Sequence, residues 1–314
     1  MKDRFFREID YLRISVTDRC NLRCFYCMPE VGIEKKAHHD ILRDEKIIDI
    51  VKAAVSLGLK KIRITGGEPL VRKGIYDLIR RINAIDGIEE VVMTTNGLLL
   101  KNNVKRLKEA GLKRINLSLD TLNPQTYQTI AKTKYYPNHH ELIQELIEHD
   151  MKPIKINVVL LKDINDHEIP DFIQLADQYD IDVRFIELMP IGHLPFDYQK
   201  HFISKDAVLK RYPELEFVKK YRVAEYYTVK NKRGKIGFIN PMSHHFCDQC
   251  NRLRLTSDGK LKPCLHTNEE ISVRDYDAAS LHDILKHAIE QKPKSHQLNK
   301  DQKPIHRTMN KIGG

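Results

Sequence analysis

Short runs of β-branched residues alternate with amphipathic segments of helical period over residues 11–188. Alternation of this kind is typical of repeated βα units on a parallel sheet. It predicts six strands, at Tyr11–Val16, Lys61–Thr65, Val91–Thr95, Arg114–Leu119, Ile154–Leu161 and Asp182–Leu188. Every strand except the last is followed by a crossover. The pattern therefore predicts an α/β protein with a partial (β/α)6 TIM-type barrel, in which the loops after the strands build the active site.

The alternation ends at Pro190–Pro195, which we take as the boundary between a first domain at 1–190 and a second at 191–291. The second region predicts a smaller C-terminal α+β domain, because its apolar runs are typical of hairpins. Its predicted elements are a helix near Lys205–Tyr212, hairpin strands at Val223–Val229 and Lys235–Ile239, a hairpin within Leu253–Leu261 and a helix near Leu281–Glu290. Residues 292–314 form a polar tail that ends in Gly-Gly and has a composition typical of disorder.

The composition is that of an ordinary globular protein, with 41% hydrophobic and 31% charged residues. Because the chain has neither a run of roughly 18 apolar residues nor a signal peptide, we expect a cytoplasmic protein without a membrane partner. In that reducing compartment, six cysteines favour metal or redox chemistry over disulfides. The formal charge of +10 suits a polyanionic partner, either a nucleotide or a nucleic acid.

Cys20, Cys24 and Cys27 lie on a predicted loop directly after the first strand, with three and then two residues between them. Three thiols at this spacing can bind one inorganic centre but cannot supply all four ligands of a closed shell. A [4Fe–4S] cluster held by three thiolates leaves one iron free to bind another molecule. A structural zinc ion would need a fourth ligand nearby, and the nearest histidines, His38 and His39, follow a predicted turn. The spacing therefore favours an iron–sulfur cluster.

A second set of three cysteines, Cys247, Cys250 and Cys264, repeats this logic beside the predicted hairpin of the second domain. It offers too few thiols for a tetrahedral site and enough for a cluster with one open iron. Zinc is the alternative here, because a histidine could supply the fourth ligand. The candidate histidines are His244, His245 and His266. The presence of the N-terminal set favours a second cluster over zinc.

Glycines and strand cations point to a ligand between the two sets. The turn Gly66–Pro69 directly follows the second strand, and its two glycines let the backbone approach a ligand closely. A cation inside a strand needs either a partner or a polar cavity. Because the arginine fork matches phosphate oxygens in pairs, a group of such cations indicates a triphosphate. The cations in question are Arg13, Arg63, Lys155, Arg252 and Arg254.

The spacing of the first three cysteines, with the aromatic Tyr26 before the last of them, resembles the signature of the radical S-adenosylmethionine (SAM) enzymes. Within that superfamily the chain resembles the GTP 3′,8-cyclase family, from residue 7 to the last residue and in the family's order. The matching segments are Arg13–Cys20, Arg63–Pro69, Thr94–Gly97, Asn116–Asp120, Lys155–Val159, Arg184–Pro190, Asn251–Arg254 and Gly313–Gly314.

This resemblance implies a role for each candidate residue. The ligands of two [4Fe–4S] clusters would be Cys20, Cys24 and Cys27 for the first and Cys247, Cys250 and Cys264 for the second. The residues in contact with SAM would be Tyr26, Gly67, Ser118 and Met189. Those in contact with GTP would be Arg13, Arg63, Thr94, Lys155, Arg252 and Arg254. In this family the terminal glycines, here Gly313 and Gly314, are expected to reach into the active site.

The resemblance also implies the reaction. The enzyme would be a lyase that uses SAM to convert GTP to (8S)-3′,8-cyclo-7,8-dihydroguanosine 5′-triphosphate, the first step of molybdenum cofactor (molybdopterin) biosynthesis. The first cluster would drive SAM cleavage, and the open iron of the second would meet the purine of GTP. Its protein partners would be a downstream cyclic pyranopterin monophosphate synthase and a reductant such as ferredoxin or flavodoxin. No nucleic acid is implied, and a homodimer is one assembly that the sequence allows.

Two segments depart from the family pattern. Phe6 replaces the Gly that usually precedes the family's first Arg, here Arg7. Residues 131–138 differ from the usual loop that contains Gly-Arg. These departures leave the conformation of the N-terminal segment and of one loop beside the site undetermined.

Three rival functions remain open at this point. A radical SAM enzyme that modifies a peptide can also carry extra clusters after the barrel, although such enzymes generally use more cysteines there. A radical SAM enzyme that modifies tRNA would suit the charge of +10. A zinc-stabilised RNA-binding protein, from a different class, would need no iron.

Overall fold

The computed structural model describes residues 1–29, 31–32, 40–192, 194–296, 298 and 305–313. Its strands are β1 (Tyr11–Ser15), β2 (Lys61–Thr65), β3 (Glu90–Thr95), β4 (Arg114–Ser118), β5 (Lys155–Leu160), β6 (Asp182–Glu187), β7 (Leu215–Tyr221), β8 (Ala224–Val229), β9 (Lys235–Ile239), β10 (Arg252–Leu255), β11 (Lys260–Lys262) and β12 (Ile271–Ser272). They form a sheet in the order β12-β11-β10-β1-β2-β3-β4-β5-β6-β9-β8-β7.

The helices cover the outer face of the barrel and connect its strands. They are α1 (Asp44–Ser56), α2 (Ile75–Asn83), α3 (Val104–Glu109), α4 (Pro124–Ala131), α5 (His139–Glu148), α6 (Ile169–Tyr179), α7 (Tyr198–His201), α8 (Lys205–Arg211), α9 (Ala278–Glu290) and α10 (Met309–Ile312). In α1 the residues Ile47, Ile50, Val51 and Ala54 recur at helical spacing and are all buried. Of the helices in the described ranges, none has the length and apolar character that crossing a membrane requires.

Strands β1 to β6 pair in parallel in chain order, which confirms the predicted partial barrel. Successive side chains of a strand point to opposite faces of the sheet. Leu12, Ile14 and Ile62 belong to the buried hydrophobic core. Arg13 and Arg63, which are paired in register, therefore point to the other face. That second face carries the polar residues and forms the inside of the barrel.

The C-terminal region adds strands to both edges of the six-stranded sheet. β9 pairs in parallel with β6, and β10 pairs in parallel with β1. The β8–β9 and β10–β11 hairpins are antiparallel, which confirms both predicted hairpins. β7 pairs with β8 and is a strand that the sequence analysis did not predict. The smaller region therefore brackets the first six strands on both sides, while the domain limits at residues 190 and 291 stay a prediction.

The described residues of the tail pack against the protein, which corrects the expectation of disorder for them. Ile305 forms a parallel bridge with Ile191, and both side chains are buried. Arg307 forms ion pairs with Asp258 at 3.1 Å and with Glu270 at 2.5 Å. Composition failed here because these few residues, spaced along a polar segment, find partners that are far away in the sequence.

Candidate active site

The loop after β1 carries the first cysteine set and is fixed against the C-terminal end of α4. The Arg23 N–H donates to the Ala131 carbonyl at 3.0 Å. Within the loop, the Cys27 N–H donates to the Cys24 carbonyl at 2.9 Å, which turns the chain back on itself. Lys132, the second residue of the segment at 131–138 that departs from the family pattern, has a φ of 52°. This left-handed conformation is one that glycine adopts more easily than lysine.

The first three cysteines are free thiols whose electrostatic surroundings fit a positively charged centre. Burial raises the pKa of Cys20 to about 11 and that of Cys27 to about 12. Burial, followed by the negative charge of Asp120 and by the two other sulfurs, raises the pKa of Cys24 well above its ordinary value. Metal ligation requires thiolates, and three thiolates this close need a cation among them. The set therefore fits an iron–sulfur cluster.

A cavity beside the cysteine loop brings together residues from several strand ends, including Tyr26, Asn96, Ser118 and Asp120. Two of the predicted SAM-binding residues, Tyr26 and Ser118, thus line one cavity. The Tyr26 hydroxyl donates to one oxygen of Asp120, and the other oxygen accepts from the Val159 N–H at 2.8 Å. Burial nevertheless raises the pKa of Asp120 to about 6. Asp120 therefore orients Tyr26 within the cavity.

The sequence analysis did not single out Asn96 or Asp120 as site residues, although a signal for both was present. Each lies directly after a strand and within a segment that matches the family. The Asn96 side-chain amide donates to Asn21 at 2.8 Å and lies 3.9 Å from the Cys20 sulfur. Asn96 therefore connects the end of β3 to the first cysteine set.

The glycines after β2 serve a different contact from the one expected. A Cβ atom on Gly67 would lie 2.3 Å from the Arg19 carbonyl oxygen, and one on Gly66 would lie 2.6 Å from that of Thr17. The Gly67 N–H donates to the Thr17 carbonyl at 2.7 Å, and the Glu68 N–H donates to the Arg19 carbonyl at 2.8 Å. The protein's own backbone thus occupies these N–H groups. Carbonyl oxygens are what this loop can offer to the ammonium group of SAM.

Glu68 ties this glycine loop to the end of β3. Its buried carboxylate accepts from the Thr95 hydroxyl at 2.7 Å, the Asn96 N–H at 2.8 Å and the Leu70 N–H at 3.1 Å. Burial raises the pKa of Glu68 to about 7 against the opposing effect of these hydrogen bonds. The carboxylate fixes the two loops relative to each other.

Met189 lies on the side of the second cysteine set. It packs against the cluster of Ile191, Ile305 and Ile312. Its sulfur lies 3.3 Å from Nε2 of His266. Met189 thus lies between the end of β6 and the tail, and the preceding residue, Leu188, belongs to a cluster against which Tyr26 packs. Its role as a SAM contact stays a prediction.

Guanidinium groups from three adjacent strands lie side by side on the inner face of the barrel. Arg13 on β1 pairs in register with Arg63 on β2 and with Arg254 on β10. Arg252 lies two residues before Arg254, on the same face of β10. Arg63 donates to the Thr94 hydroxyl at 2.9 Å. The structure thus brings together five of the six residues predicted to bind GTP.

Arg63 and Arg254 are buried, Arg13 and Arg252 are half-buried, and the charges of these arginines repel one another. Burial, and then the charges of Arg254 and Arg63, lower the pKa of Arg13 well below its ordinary value. Burial, and then the charge of Arg252, lower the pKa of Arg254 to about 10. Because an anion near them would favour the charged forms, the inner face fits a ligand with several negative charges.

The sixth predicted residue, Lys155, already has a partner, and an additional arginine stands near it. Lys155 forms an ion pair with Asp182 at 2.5 Å. Arg184 on β6 donates to the Asn157 side chain at 2.6 Å, and burial lowers its pKa to about 10. The sequence analysis did not include Arg184 among the candidate GTP contacts, although the criterion of a cation inside a strand applies to it as well.

The second cysteine set lies at the open end of the β10–β11 hairpin, where the chain enters β10 and leaves β11. Cys247 and Cys250 lie around a short 3₁₀ helix, Cys247–Gln249, and the β10–β11 hairpin returns the chain to Cys264, as predicted. All three are free thiols. Burial raises the pKa of Cys247 and of Cys264. Burial acts in the same direction on Cys250, but the charges of Lys292 and Arg252 outweigh it and lower the pKa of Cys250.

Neither set has the geometry of a single-ion site. Over the described ranges, no group of three or more His, Cys, Asp or Glu side chains could hold one metal ion. The thiolates of a [4Fe–4S] cluster bind different irons, so they surround a cube instead of converging on one point. The candidate zinc ligands have other contacts: His245 lies 2.9 Å from the Pro241 carbonyl, and His266 contacts Met189.

Arg7 connects the N-terminal segment to the second cysteine set. Its buried guanidinium pairs with Asp3 at 2.6 Å and donates to the carbonyls of Cys247 at 2.7 Å and Pro293 at 2.8 Å. Phe6, which stands where the family usually has Gly, has a φ of 62° and an exposed side chain. The backbone therefore keeps a glycine-like conformation despite the substitution, at a cost in strain.

The tail reaches the inner face of the barrel between the two cysteine sets. Arg254 donates to the Gly313 carbonyl at 2.8 Å. Gly313 has a φ of 76°, and a Cβ atom on it would lie 2.8 Å from Thr65 and 3.2 Å from Ser15. Only glycine fits this position without strain. Gly314, the other predicted residue of the tail, lies outside the described residues.

Solved structures share the fold of this chain at low sequence identity. The crystal structure of Streptococcus suis SuiB bound to S-adenosylmethionine has a TM-score of 0.60 at 18% identity, over 90% of this chain and 68% of that one. The structure of anSMEcpe with bound AdoMet has a TM-score of 0.58 at 15% identity, over 91% of this chain and 81% of that one. At this identity the likeness shows the fold alone.

Sequence comparisons are more specific. The family described as Radical SAM superfamily matches residues 14–176, and the family described as Molybdenum Cofactor Synthesis C matches residues 181–298. The GTP 3′,8-cyclase of Alkaliphilus oremlandii (strain OhILAs) is 49% identical over 320 residues, covering 100% of both chains. That of Peptoclostridium acidaminophilum is 50% identical over 319 residues, covering 99% of this chain and 98% of the other. The chain belongs to the GTP 3′,8-cyclase family of radical SAM enzymes.

Proposed function

We propose that this chain uses SAM to convert GTP to (8S)-3′,8-cyclo-7,8-dihydroguanosine 5′-triphosphate, the first step of molybdenum cofactor biosynthesis. The observation that carries the proposal is the row of buried and half-buried arginines on the inner face of the barrel, between two sets of three free thiols. Membership of the GTP 3′,8-cyclase family supports the substrate and the reaction. The rival peptide, tRNA and zinc functions lack comparable support.

The two cysteine sets would each hold a [4Fe–4S] cluster. When bound, the first cluster supplies the electron that cleaves SAM, and the second supplies a free iron for the purine base. The residues proposed to hold SAM are Tyr26, Gly67, Ser118 and Met189, with Asn96 and Asp120 beside them. The cavity that Tyr26, Asn96, Ser118 and Asp120 line would keep water away from the SAM-derived radical.

The inner face would bind the triphosphate and fix the ribose next to SAM. The proposed GTP contacts are Arg13, Arg63, Thr94, Lys155, Arg184, Arg252 and Arg254. The guanidinium groups of the arginines among them can each form hydrogen bonds with two phosphate oxygens. The Gly313 carbonyl, bonded to Arg254, sets where the tail enters this face. Gly314 would continue into the site.

The proposed partners follow from the reaction. A reductant such as ferredoxin or flavodoxin would supply electrons, and a cyclic pyranopterin monophosphate synthase would receive the product. We place the enzyme in the cytoplasm, where six free cysteines remain reduced. A homodimer is the assembly to be tested by sedimentation.

The reaction is tested with anaerobically reconstituted protein, SAM, a strong reductant and GTP. Mass spectrometry would measure 5′-deoxyadenosine and any product derived from GTP. We expect 5′-deoxyadenosine and a cyclised isomer of GTP to form together. The isomer has the same mass as GTP, and it should not form when ATP replaces GTP. Cys24→Ser protein, reconstituted in the same way, serves as the control for SAM cleavage.

Each outcome separates a different part of the proposal. If 5′-deoxyadenosine forms while GTP is unchanged, the radical SAM activity stands and the substrate is wrong. If an iron-loaded preparation forms neither product, the first cysteine set has been misassigned. A colourless protein that binds zinc in stoichiometric amount would favour the zinc-stabilised alternative.

A further inference from the structure

Lys292 is a buried cation beside the second cysteine set, at the beginning of the tail. The residue is only 1% exposed. Its ammonium donates to the Arg252 carbonyl at 2.6 Å and the Pro263 carbonyl at 2.7 Å, and it lies 3.8 Å from the Cys250 sulfur. An ammonium has three N–H donors, so these three contacts use all of them. Nothing in the residue's sequence neighbourhood, which is polar and typical of a tail, predicts this environment.

The three acceptors belong to the two arms that carry the second cysteine set. Cys250 and the Arg252 carbonyl are on the arm that enters β10. Pro263 immediately precedes Cys264 on the arm that leaves β11. One ammonium therefore connects both arms and sets the distance between their sulfurs. A neutral side chain of the same length would leave two buried carbonyls without this donor.

The position of Lys292 is itself held by neighbouring contacts. The Lys292 N–H donates to the Ile289 carbonyl at 3.2 Å, at the end of α9. The next residue, Pro293, gives its carbonyl to Arg7 at 2.8 Å, and Arg7 also bonds the Cys247 carbonyl. The ammonium is therefore preorganised beside the sulfur by two elements from opposite ends of the chain.

We propose that Lys292 is a positioning residue that donates a charged hydrogen bond to the Cys250 sulfur and thereby raises the reduction potential of the second cluster. This inference rests on the proposed function, because it requires a cluster on the second cysteine set. Reduction adds negative charge to a cluster, and a cation bonded to a ligand sulfur favours the more negative state. Hydrogen bonds to the sulfurs and the local charge are known determinants of cluster potential.

The test compares variants of the full chain that differ in charge at this position. Lys292→Met keeps the length and removes the charge, whereas Lys292→Arg keeps the charge. Lys294→Met changes an exposed lysine of the same segment and serves as the matched control. Each change is also made in a background with Cys20, Cys24 and Cys27 replaced by Ser, which removes the signal of the first cluster. The readout is a redox titration followed by electron paramagnetic resonance, without GTP or SAM.

We expect the Lys292→Met protein to have a lower midpoint potential than the wild type, with the Lys294→Met protein unchanged. The Lys292→Arg protein should lie closer to the wild type than Lys292→Met does. A Lys292→Met protein with full iron content and an unchanged potential would overturn the inference and leave the proposed function intact. If the wild-type second set holds no iron–sulfur cluster, the proposed function and this inference both fail.

A second measurement covers the case in which the Lys292 variants lose iron. The protein with Lys292 retained is labelled with lysine carrying ¹⁵N at Nζ, and the reduced second cluster is studied by pulsed electron paramagnetic resonance. A ¹⁵N coupling that is absent from unlabelled protein is expected, since the ammonium lies beside a ligand sulfur. A spectrum without that coupling would overturn the inference.

Discussion

The two cysteine sets have the same number of thiols but differ in the charges beside one thiol of each, Cys24 in the first set and Cys250 in the second. Around the first set lie carboxylates and apolar residues, and burial together with Asp120 raises the pKa of Cys24. Around the second set lie cations, and the charges of Lys292 and Arg252 lower the pKa of Cys250 despite its burial. Similar spacing in sequence therefore does not produce similar sites.

This difference suits the two tasks that we propose. A cluster that donates an electron to SAM gains reducing power from a negative surrounding, whereas a cluster that meets an anionic substrate benefits from a positive one. The row of arginines lies between the sets, on β1, which leads into the first set, on the adjacent β2, and on β10, which follows Cys250. The barrel thus separates an electron-donating end from a phosphate-binding end, and the following changes test that separation.

The largest expected effects come from removing one thiol at each set. Cys24→Ser should abolish 5′-deoxyadenosine formation, because SAM cleavage depends on the first set. Cys250→Ser should abolish the cyclised product while leaving slow SAM cleavage, because the first set is intact. Both products are measured by mass spectrometry after anaerobic reconstitution. A Cys24→Ser protein that still forms 5′-deoxyadenosine would show that the first set has been misassigned.

Arg63→Ala tests the region between the sets. Losing a charged hydrogen bond costs roughly 1.5–3 kcal/mol, which corresponds to about a ten- to hundredfold weaker apparent GTP affinity. SAM cleavage without GTP should be unaffected, since Arg63 lies on the inner face and away from the first cysteine loop. Arg233→Ala, at an exposed arginine, is the control and should bind GTP like the wild type. Equal loss of both activities would indicate a folding defect instead.

Glu68→Gln tests the carboxylate that supports the first set. Burial raises the pKa of Glu68 to about 7 from the usual 4.5, so protonation favours the folded state. Its contribution is complete below pH 4.5 and is lost as the pH rises through 7. The free energy of unfolding of wild-type apoprotein should fall over this range by on the order of 2 kcal/mol more than that of the variant.

Urea titrations at several pH values measure this slope. Glu109→Gln, at an exposed glutamate on α3, is the control and should keep the slope of the wild type. A Glu68→Gln protein whose unfolding free energy follows the wild-type pH dependence would contradict the assignment to Glu68.

Phe6→Gly is expected to have the smallest effect. It changes the stability of the N-terminal segment, whose Arg7 bonds the Cys247 carbonyl of the second set. Phe6 has a φ of 62° and is 84% exposed, so glycine would remove strain with little loss of burial. We expect stabilisation of about 1 kcal/mol, measured by thermal unfolding. Phe5→Gly, at the neighbouring position without a positive φ, should destabilise instead. A destabilised Phe6→Gly protein would mean that the side chain has a contact which outweighs the strain.

Sequence reasoning located most of the site but not its assembly. The cysteine spacing, the strand cations and the glycine turn are local patterns, and each identified residues that the structure brings near one another. Met189 was predicted with the SAM contacts; it packs against the tail and His266, and its contact with SAM stays a prediction. Arg184 met the same criterion as Arg63 and was overlooked, because a single cation inside a strand is more often paired than functional.

The chain's periodicity determined the six parallel strands, because alternation along a strand fixes which residues face the core. The three-cysteine spacing likewise determined where metal chemistry occurs. The tertiary structure alone decided that β9 and β10 extend the barrel at opposite edges, that Lys292 is buried against Cys250, and that Gly313 meets Arg254. These contacts join residues far apart in the chain. The free energy of each such contact depends on a partner that is distant in sequence. Local sequence patterns therefore do not predict these contacts, and only the folded chain shows them.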